Sequence, residues 1–185
     1  MDEVGGSNLN RQLIALKSTI GEPKFNLFKQ RIELINPGCH ISGGKIFLNA
    51  DNVKEWLEKD RYDYVVDCID SLNSKVALLE SATLMDLNVI ASMGAGGKLD
   101  PTQIKVADIS KSHTCPLARF VRSRLRRREI YSGIDVVFST EKPRPPLEPE
   151  PVSVGRARAV NGTISYIPAM FGLMMAGVVI SNILE

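Results

Sequence analysis

The sequence has 185 residues, 44% of them hydrophobic and 24% charged, with 23 Lys and Arg set against 21 Asp and Glu for a net charge of +2. These values suit a single globular domain over residues 1–185 and argue against a fibrous or disordered chain. Three scattered cysteines, Cys39, Cys68 and Cys115, with no Cys-x-x-Cys pair, argue against a disulfide framework and a structural zinc site; without a basic then apolar leader, the expected location is the cytoplasm.

The opening run Ser7-Asn8-Leu9-Asn10-Arg11-Gln12 and the turn Gly21-Glu22-Pro23-Lys24 place two cations on either side of an apolar segment. Arg11 offers a planar fork of donors and Lys24 a mobile point charge, two forms of cation that suit phosphate oxygens. Asn8 and Asn10 add neutral donors. The same residues read equally as a polar helix start and an ordinary turn. Residues 13–20 are predicted to continue a short helix, stopped at Gly21-Glu22-Pro23. Phe25, Phe28, Ile32 and Ile35 then recur at helical spacing, ended by Asn36-Pro37-Gly38. Residues 41–48 read as a strand, with Gly43-Gly44 a bulge or bend. A helix starts at Asp51-Asn52-Val53 and turns Trp56 and Leu57 inward.

Tyr64-Val65-Val66 is a short apolar strand ending at Asp67-Cys68-Ile69-Asp70, followed by a helix over residues 71–87 and a strand over 89–92. Strands alternating with helices imply crossover units and a mostly parallel sheet, with ligands beyond the carboxyl ends of its strands. Asp70 sits there, either as a helix cap or as a magnesium ligand. Gly94-Ala95-Gly96-Gly97-Lys98-Leu99-Asp100-Pro101 follows. It is no dinucleotide fingerprint, because such a run must open a helix and this one leads to Asp-Pro.

Pro116 can start a helix on which Arg119, Arg122 and Arg126 share a face, opposite an apolar stripe of Leu117, Val121 and Leu125. Acids are absent from Ser110 until Glu129, so a polyanion partner is expected. Residues 142–160, rich in Pro and Glu, are expected to form an extended exposed loop. Residues 164–184 carry no charge and are about as long as a membrane span. Pro168, Gly172, Ala176, Gly177, Ser181 and Asn182 favour instead a helix buried in the domain or in a homodimer seam, with no membrane partner.

Taken together, Asp2-Glu3-Val4, the SNLNRQ run, GEPK, Ile35-Asn36-Pro37 and Val66-Asp67-Cys68-Ile69-Asp70 resemble, in order and spacing, the ATP-binding half of the ubiquitin-activating-enzyme superfamily, which includes the ThiF and MoeB adenylyltransferases. Gly94 to Ile104, Cys115-Pro116-Leu117-Ala118-Arg119 and Asp135-Val136-Val137-Phe138-Ser139-Thr140-Glu141 narrow the resemblance to the tRNA threonylcarbamoyladenosine dehydratases, the TcdA branch. That resemblance implies a Rossmann-like ThiF-type α/β fold with helices on both faces of the sheet. It also implies an N-terminally truncated form, because Met1 falls inside the family's Asp-x-Asp strand end and the GxGxxG turn before it has no counterpart. Asp2 matches the second Asp of that strand end.

The implied reaction adenylates the threonyl carboxylate of threonylcarbamoyladenosine in tRNA with ATP, after which the carbamoyl group closes a ring and expels AMP. Arg11 and Lys24 would be catalytic, with Asn8 and Asp70 completing ATP binding and Asp70 holding Mg2+. The resemblance implies tRNA as the partner, and the basic helix face read above makes Arg119, Arg122 and Arg126 the residues expected to meet it. The enzyme would be a homodimer, with a sulfur-transfer protein as a possible partner. Some relatives carry a Cys where this chain has Val136, and neither Cys68 and Cys115 nor His40 and His113 reads as catalytic. Two alternatives stand beside this reading. One is a MoeB- or ThiF-like adenylyltransferase of a ubiquitin-like sulfur carrier, which the missing CxxC pairs disfavour. The other is a truncated, inactive relative that survives as a dimerising or RNA-binding module.

Overall fold

The computed structural model describes residues 2–44, 46–146 and 162–185. They fall into two compact units, Met1–Phe47 and Leu48–Glu185. The first is built on a closed loop. Gly21 N–H donates to Val4 O (2.8 Å), Val4 N–H to Glu22 O (3.0 Å) and Lys24 N–H to Asp2 O (3.1 Å), so both ends of the cation-bearing stretch are tied together. Val4, Ile14 and Ala15 are its buried core, with Leu27 against them. The helix predicted over residues 13–20 does not form; a single 3-10 turn, Lys17–Thr19, stands there. The reason is local competition: the Thr19 hydroxyl donates to Ile14 O (2.8 Å) and accepts from Leu16 N–H (2.9 Å), offering the main chain partners outside a helix. The next helix, α1 (Lys24–Ile35), forms as its spacing predicts, though none of its residues is buried.

Residues 41–44 and 46–48 are not a strand. A strand needs a ladder partner for its amides, and the main-chain bond here is a local one, Ile46 N–H to Gly44 O (3.1 Å). The Gly43-Gly44 pair serves close approach instead. A Cβ on Gly43 would lie 2.5 Å from the Phe25 ring, nearer than atoms can pack.

The second unit is the α/β body. After α2 (Val53–Glu58) come β1 (Val65–Asp67), α3 (Leu72–Leu84), β2 (Val89–Ser92), β3 (Ile104–Asp108), α4 (Pro116–Arg126), β4 (Asp135–Ser139) and α5 (Tyr166–Leu184). The sheet order is β1-β2-β4-β3. β1, β2 and β4 are parallel, and β3 is antiparallel to β4. β3 and β4 are additions to the elements read from the sequence, and α3 ends at Leu84 rather than at residue 87. Trp56 is half-buried beneath the Lys59 ammonium, 3.3 Å from its ring centroid, while Leu57 is buried. The Pro-rich stretch falls mostly outside the described residues.

Strand alternation assigns the two faces. Val65, Val89, Ala91, Val136 and Phe138 pack with α2, α3 and α4, where Val76, Leu79, Ala118, Val121 and Leu125 are buried. Ile90, Ile104 and Val137 point the other way, against Ile167, Phe171 and Met175 of α5. Helices therefore cover both faces. α5 is apolar along its whole length, yet Leu173 is 72% and Leu184 81% exposed, so burial in the chain's own core takes up only one side.

β3 is stitched to the start of β4 by Asp108. Its Oδ2 accepts from Gly133 N–H (2.6 Å) and Ile134 N–H (3.2 Å), and its Oδ1 from Ser110 N–H (2.8 Å). Lost hydration raises the carboxyl's pKa, but the bonds from Ser110, Gly133 and Ile134 outweigh it and hold it below the ordinary value. A depressed folded pKa contributes stability above the ordinary carboxylate range and loses it as pH falls through the folded value. Asp108→Asn is expected to cost about 1 kcal/mol at neutral pH, with the gap to wild type closing toward acid in urea melts. A gap that stays constant with pH would refute this.

Candidate functional site at the strand ends

Two buried lysines that the sequence reading passed over organise the carboxyl ends of the parallel strands. Lys75, from α3, donates to Asp67 Oδ2 at the end of β1 (2.6 Å) and to Ser92 O at the end of β2 (3.0 Å). Lys98 donates to Ser139 O at the end of β4 (3.1 Å) and to Glu141 O (2.9 Å). The signal for Lys75 was present: Leu72, Val76 and Leu79 flank it at helical spacing, so it lies on the buried stripe. Asp67 is itself fully buried. Desolvation pushes its pKa up even though Lys75 and the Ile69 N–H bond pull it down.

That pair sets the Asp67-Cys68-Ile69-Asp70 turn. Asp67 is spent on structure, and Asp70 stands exposed beyond it. Cys68 is exposed as a residue, but lost hydration around its sulfur and the Asp67 carboxylate push its thiol pKa up, away from the reactive thiolate.

The glycine-rich loop is pinned rather than open. Glu141 Oε2 accepts from Leu99 N–H (2.8 Å) and Asp100 N–H (2.9 Å), and Tyr166 Oη donates to Leu99 O (2.7 Å). Gly97 has φ +70°, and a Cβ there would come 3.0 Å from Arg144 O, so this position needs glycine for chain-on-chain contact. Burial pushes the Lys98 ammonium below the usual lysine range, against the pull of Cys115 and Glu141. Glu141→Ala is expected to cost about 2 kcal/mol and to speed amide exchange at Leu99 and Asp100. Unchanged protection at those two amides would sink this account of the loop.

In the first unit, Asn8 Oδ1 accepts from Gly5 N–H (3.0 Å), which closes the turn before Arg11. Arg11 Nη1 donates to Ser7 O (2.8 Å) and Asn10 Oδ1 (3.0 Å), and Arg11 bonds through no other nitrogen among the described residues. Gln12 Oε1 is buried with no hydrogen-bond partner among the described residues. Lys24 Nζ lies 2.7 Å from Asp2 Oδ2, with the lysine side chain only 15% exposed. It faces a cavity of about 430 Å³ that Asp2, Phe25, Gly43, Gly44 and Ile46 also line. A cation and glycine main chain in a cavity of that size suit a phosphate-bearing ligand.

Asp70 as a metal ligand has less around it: the described residues contain no cluster of three His, Cys, Asp or Glu that could hold a metal. One carboxylate still fits Mg2+ that keeps waters and takes phosphate oxygens for the rest of its shell.

Of the α4 arginines, Arg119 and Arg126 are exposed. Arg122 is not free: its Nη1 donates to Ser112 O (2.7 Å) and Ser112 Oγ (2.6 Å), which ties α4 to the preceding loop. Arg124 bonds Asn73, and Arg128 pairs with Glu80 at 2.7 Å.

Comparison with known proteins identifies the family and the fold. The ThiF family pattern matches residues 1–185. The tRNA threonylcarbamoyladenosine dehydratase of Bacillus subtilis is 37% identical over 191 residues, covering 100% of this chain and 75% of that protein. The crystal structure of the Escherichia coli dehydratase TcdA in complex with ATP superposes with a TM-score of 0.84 at 31% identity, covering 100% of this chain and 73% of that one. A sulfur carrier protein adenylyltransferase of Thermus thermophilus is 32% identical over 46% of this chain.

Proposed function

The chain belongs to the ThiF family, in its tRNA threonylcarbamoyladenosine dehydratase branch, and from that premise we propose that it is an ATP-dependent dehydratase of threonylcarbamoyladenosine in tRNA. The observation that carries the reading is the agreement of the whole chain, both units included, with a dehydratase crystallised with ATP. The sulfur-carrier reading rests on a match to less than half of the chain.

ATP supplies the activating group: AMP attached to the threonyl carboxylate is a good leaving group where the free carboxylate oxygen is not. The nearby carbamoyl group then attacks the activated carbonyl, closes the ring and expels AMP. The reaction therefore needs cations for departing pyrophosphate more than it needs a protein nucleophile. Arg11 and Lys24 take that role, with Asn8 shaping the turn that presents Arg11. Gln12 Oε1, an acceptor without a partner among the described residues, adds a polar group to the same turn. Asp70 is the residue that would hold Mg2+, and the ion would supply counter-charge for phosphate oxygens when bound. On the tRNA side Arg119 and Arg126 meet phosphate, and Arg122 holds the Ser112 loop in place.

The proposed setting is cytoplasmic, as a homodimer whose seam is the exposed side of α5. Sedimentation as a monomer across a concentration series would overturn the homodimer. For the reaction itself, the purified chain is incubated with threonylcarbamoyladenosine-bearing tRNA, ATP and Mg2+, and the digested nucleosides are weighed by mass spectrometry. The expected product has lost one water, only when ATP is present. ATP binding without product would favour the sulfur-carrier reading, and absence of both would favour the inactive one.

A further inference from the structure

The basic run on α4 is not one patch. Arg122, Arg124 and Arg128 are committed to Ser112, Asn73 and Glu80. That leaves Arg119, Arg126 and Arg127, all exposed. Helical geometry places these three on one side, since Ala118, Val121 and Leu125 define the buried one. Phe120 stands among them. It is 49% exposed, lies two turns before Arg127 on the same side, and has the Arg119 guanidinium 5.0 Å from its ring centroid.

A large aromatic left in water is unremarkable alone. Here a cation lies over it and no acid is close in sequence: residues 110–128 contain no Asp or Glu, and Glu80 is engaged by Arg128. We infer that this side of α4 is a stacking platform for an unpaired base of RNA, with Phe120 taking the base face and Arg119, Arg126 and Arg127 the flanking phosphates. The inference rests on the tRNA reading above and deepens it, because it names the part of the RNA that is held.

The chemistry selects single-stranded RNA over duplex. A paired base offers no face to a side chain, whereas a splayed base stacks on an aromatic ring or guanidinium plane. Phosphate contacts alone would accept either form.

The test measures binding of the full chain to two unmodified RNAs, a hairpin with an unpaired loop and a blunt duplex of equal length. Phe120→Ala is expected to weaken hairpin binding about 5- to 100-fold and to change duplex binding less than about two-fold. Phe120→Leu, which keeps apolar bulk without the ring, should behave like Phe120→Ala, and equal melting temperatures exclude misfolding. Arg126→Ala with Arg127→Ala should weaken both RNAs and lower the dependence of log affinity on log salt by about 1.4 for the single-stranded site. Hairpin binding that survives Phe120→Ala, or falls equally with duplex binding, overturns the stacking platform. Failure of the wild type to hold either RNA overturns it as well. The dehydratase reading is judged separately, by the mass of the product nucleoside, and either can fail without the other.

Discussion

Lys75→Met is expected to destabilise the second unit by about 3–5 kcal/mol, because it strips the partner from a carboxylate that cannot reach water. Both side chains of the Lys75–Asp67 pair are 0% exposed and meet at 2.6 Å. In the variant Asp67 keeps the Ile69 N–H bond, and Ser92 O loses the lysine bond at the end of β2. Even with the lysine present, desolvation already raises the Asp67 pKa, so the unpaired acid must hold its proton to still higher pH. A folded pKa above the unfolded one gives stability that is present below the unfolded value and lost as pH rises through the folded one. The penalty should therefore be smallest in acid and grow toward neutral pH. Adding Asp67→Asn, which removes the charge and keeps the shape, should recover a large part of it at pH 7. Urea unfolding of the three variants at two pH values checks this, and a loss under about 1 kcal/mol for Lys75→Met would show the pair is dispensable.

The consequence reaches the site through one turn. Asp70 makes none of the structural bonds there; its position is fixed by Asp67 on one side and the start of α3 on the other. This explains what could and could not be read beforehand. Short apolar strands before an Asp, and helices between them, announce a parallel sheet, because strands covered on both faces must be apolar throughout. The alternation Val89, Ile90, Ala91 then follows from the pleat. The first unit resisted for the converse reason. Ile14 and Ala15 are buried outside any regular helix or strand; the loop closure between Val4 and Gly21 decides it.

Site residues divided in the same way. Arg11, Lys24 and Asp70 stand out by residue type and motif. Lys75, Lys98 and Glu141 act on main-chain groups that are distant in sequence, Lys98 on Ser139 and Glu141 on Leu99, and such partners appear only once the strands are laid side by side. Arg122 shows the limit of face arguments on a helix. Its spacing matches Arg119 and Arg126, but the Ser112 carbonyl and hydroxyl lie within reach and claim it.

Arg11→Ala is expected to lower ATP-dependent product formation about 10²- to 10³-fold, the loss seen when one donor to a developing charge is removed from an enclosed site. Stability should fall by only about 1 kcal/mol, since the bonds lost in the folded chain are those from Nη1 to Ser7 O and Asn10 Oδ1 in a half-exposed turn. The separation of these two effects is the point of the test. If Arg11 served the turn alone, Arg11→Lys, which cannot keep both bonds, would match Arg11→Ala in stability and leave activity near wild type after correction for folded protein. If it serves pyrophosphate, Arg11→Lys keeps the charge but loses the planar fork, and its turnover should fall between the other two. Because charge on the leaving group grows toward the transition state, the deficit should appear in kcat more than in KM. Turnover of Arg11→Ala within about five-fold of wild type would remove Arg11 from the chemistry and leave Lys24, beside Asp2 and the cavity, as the candidate cation of the first unit.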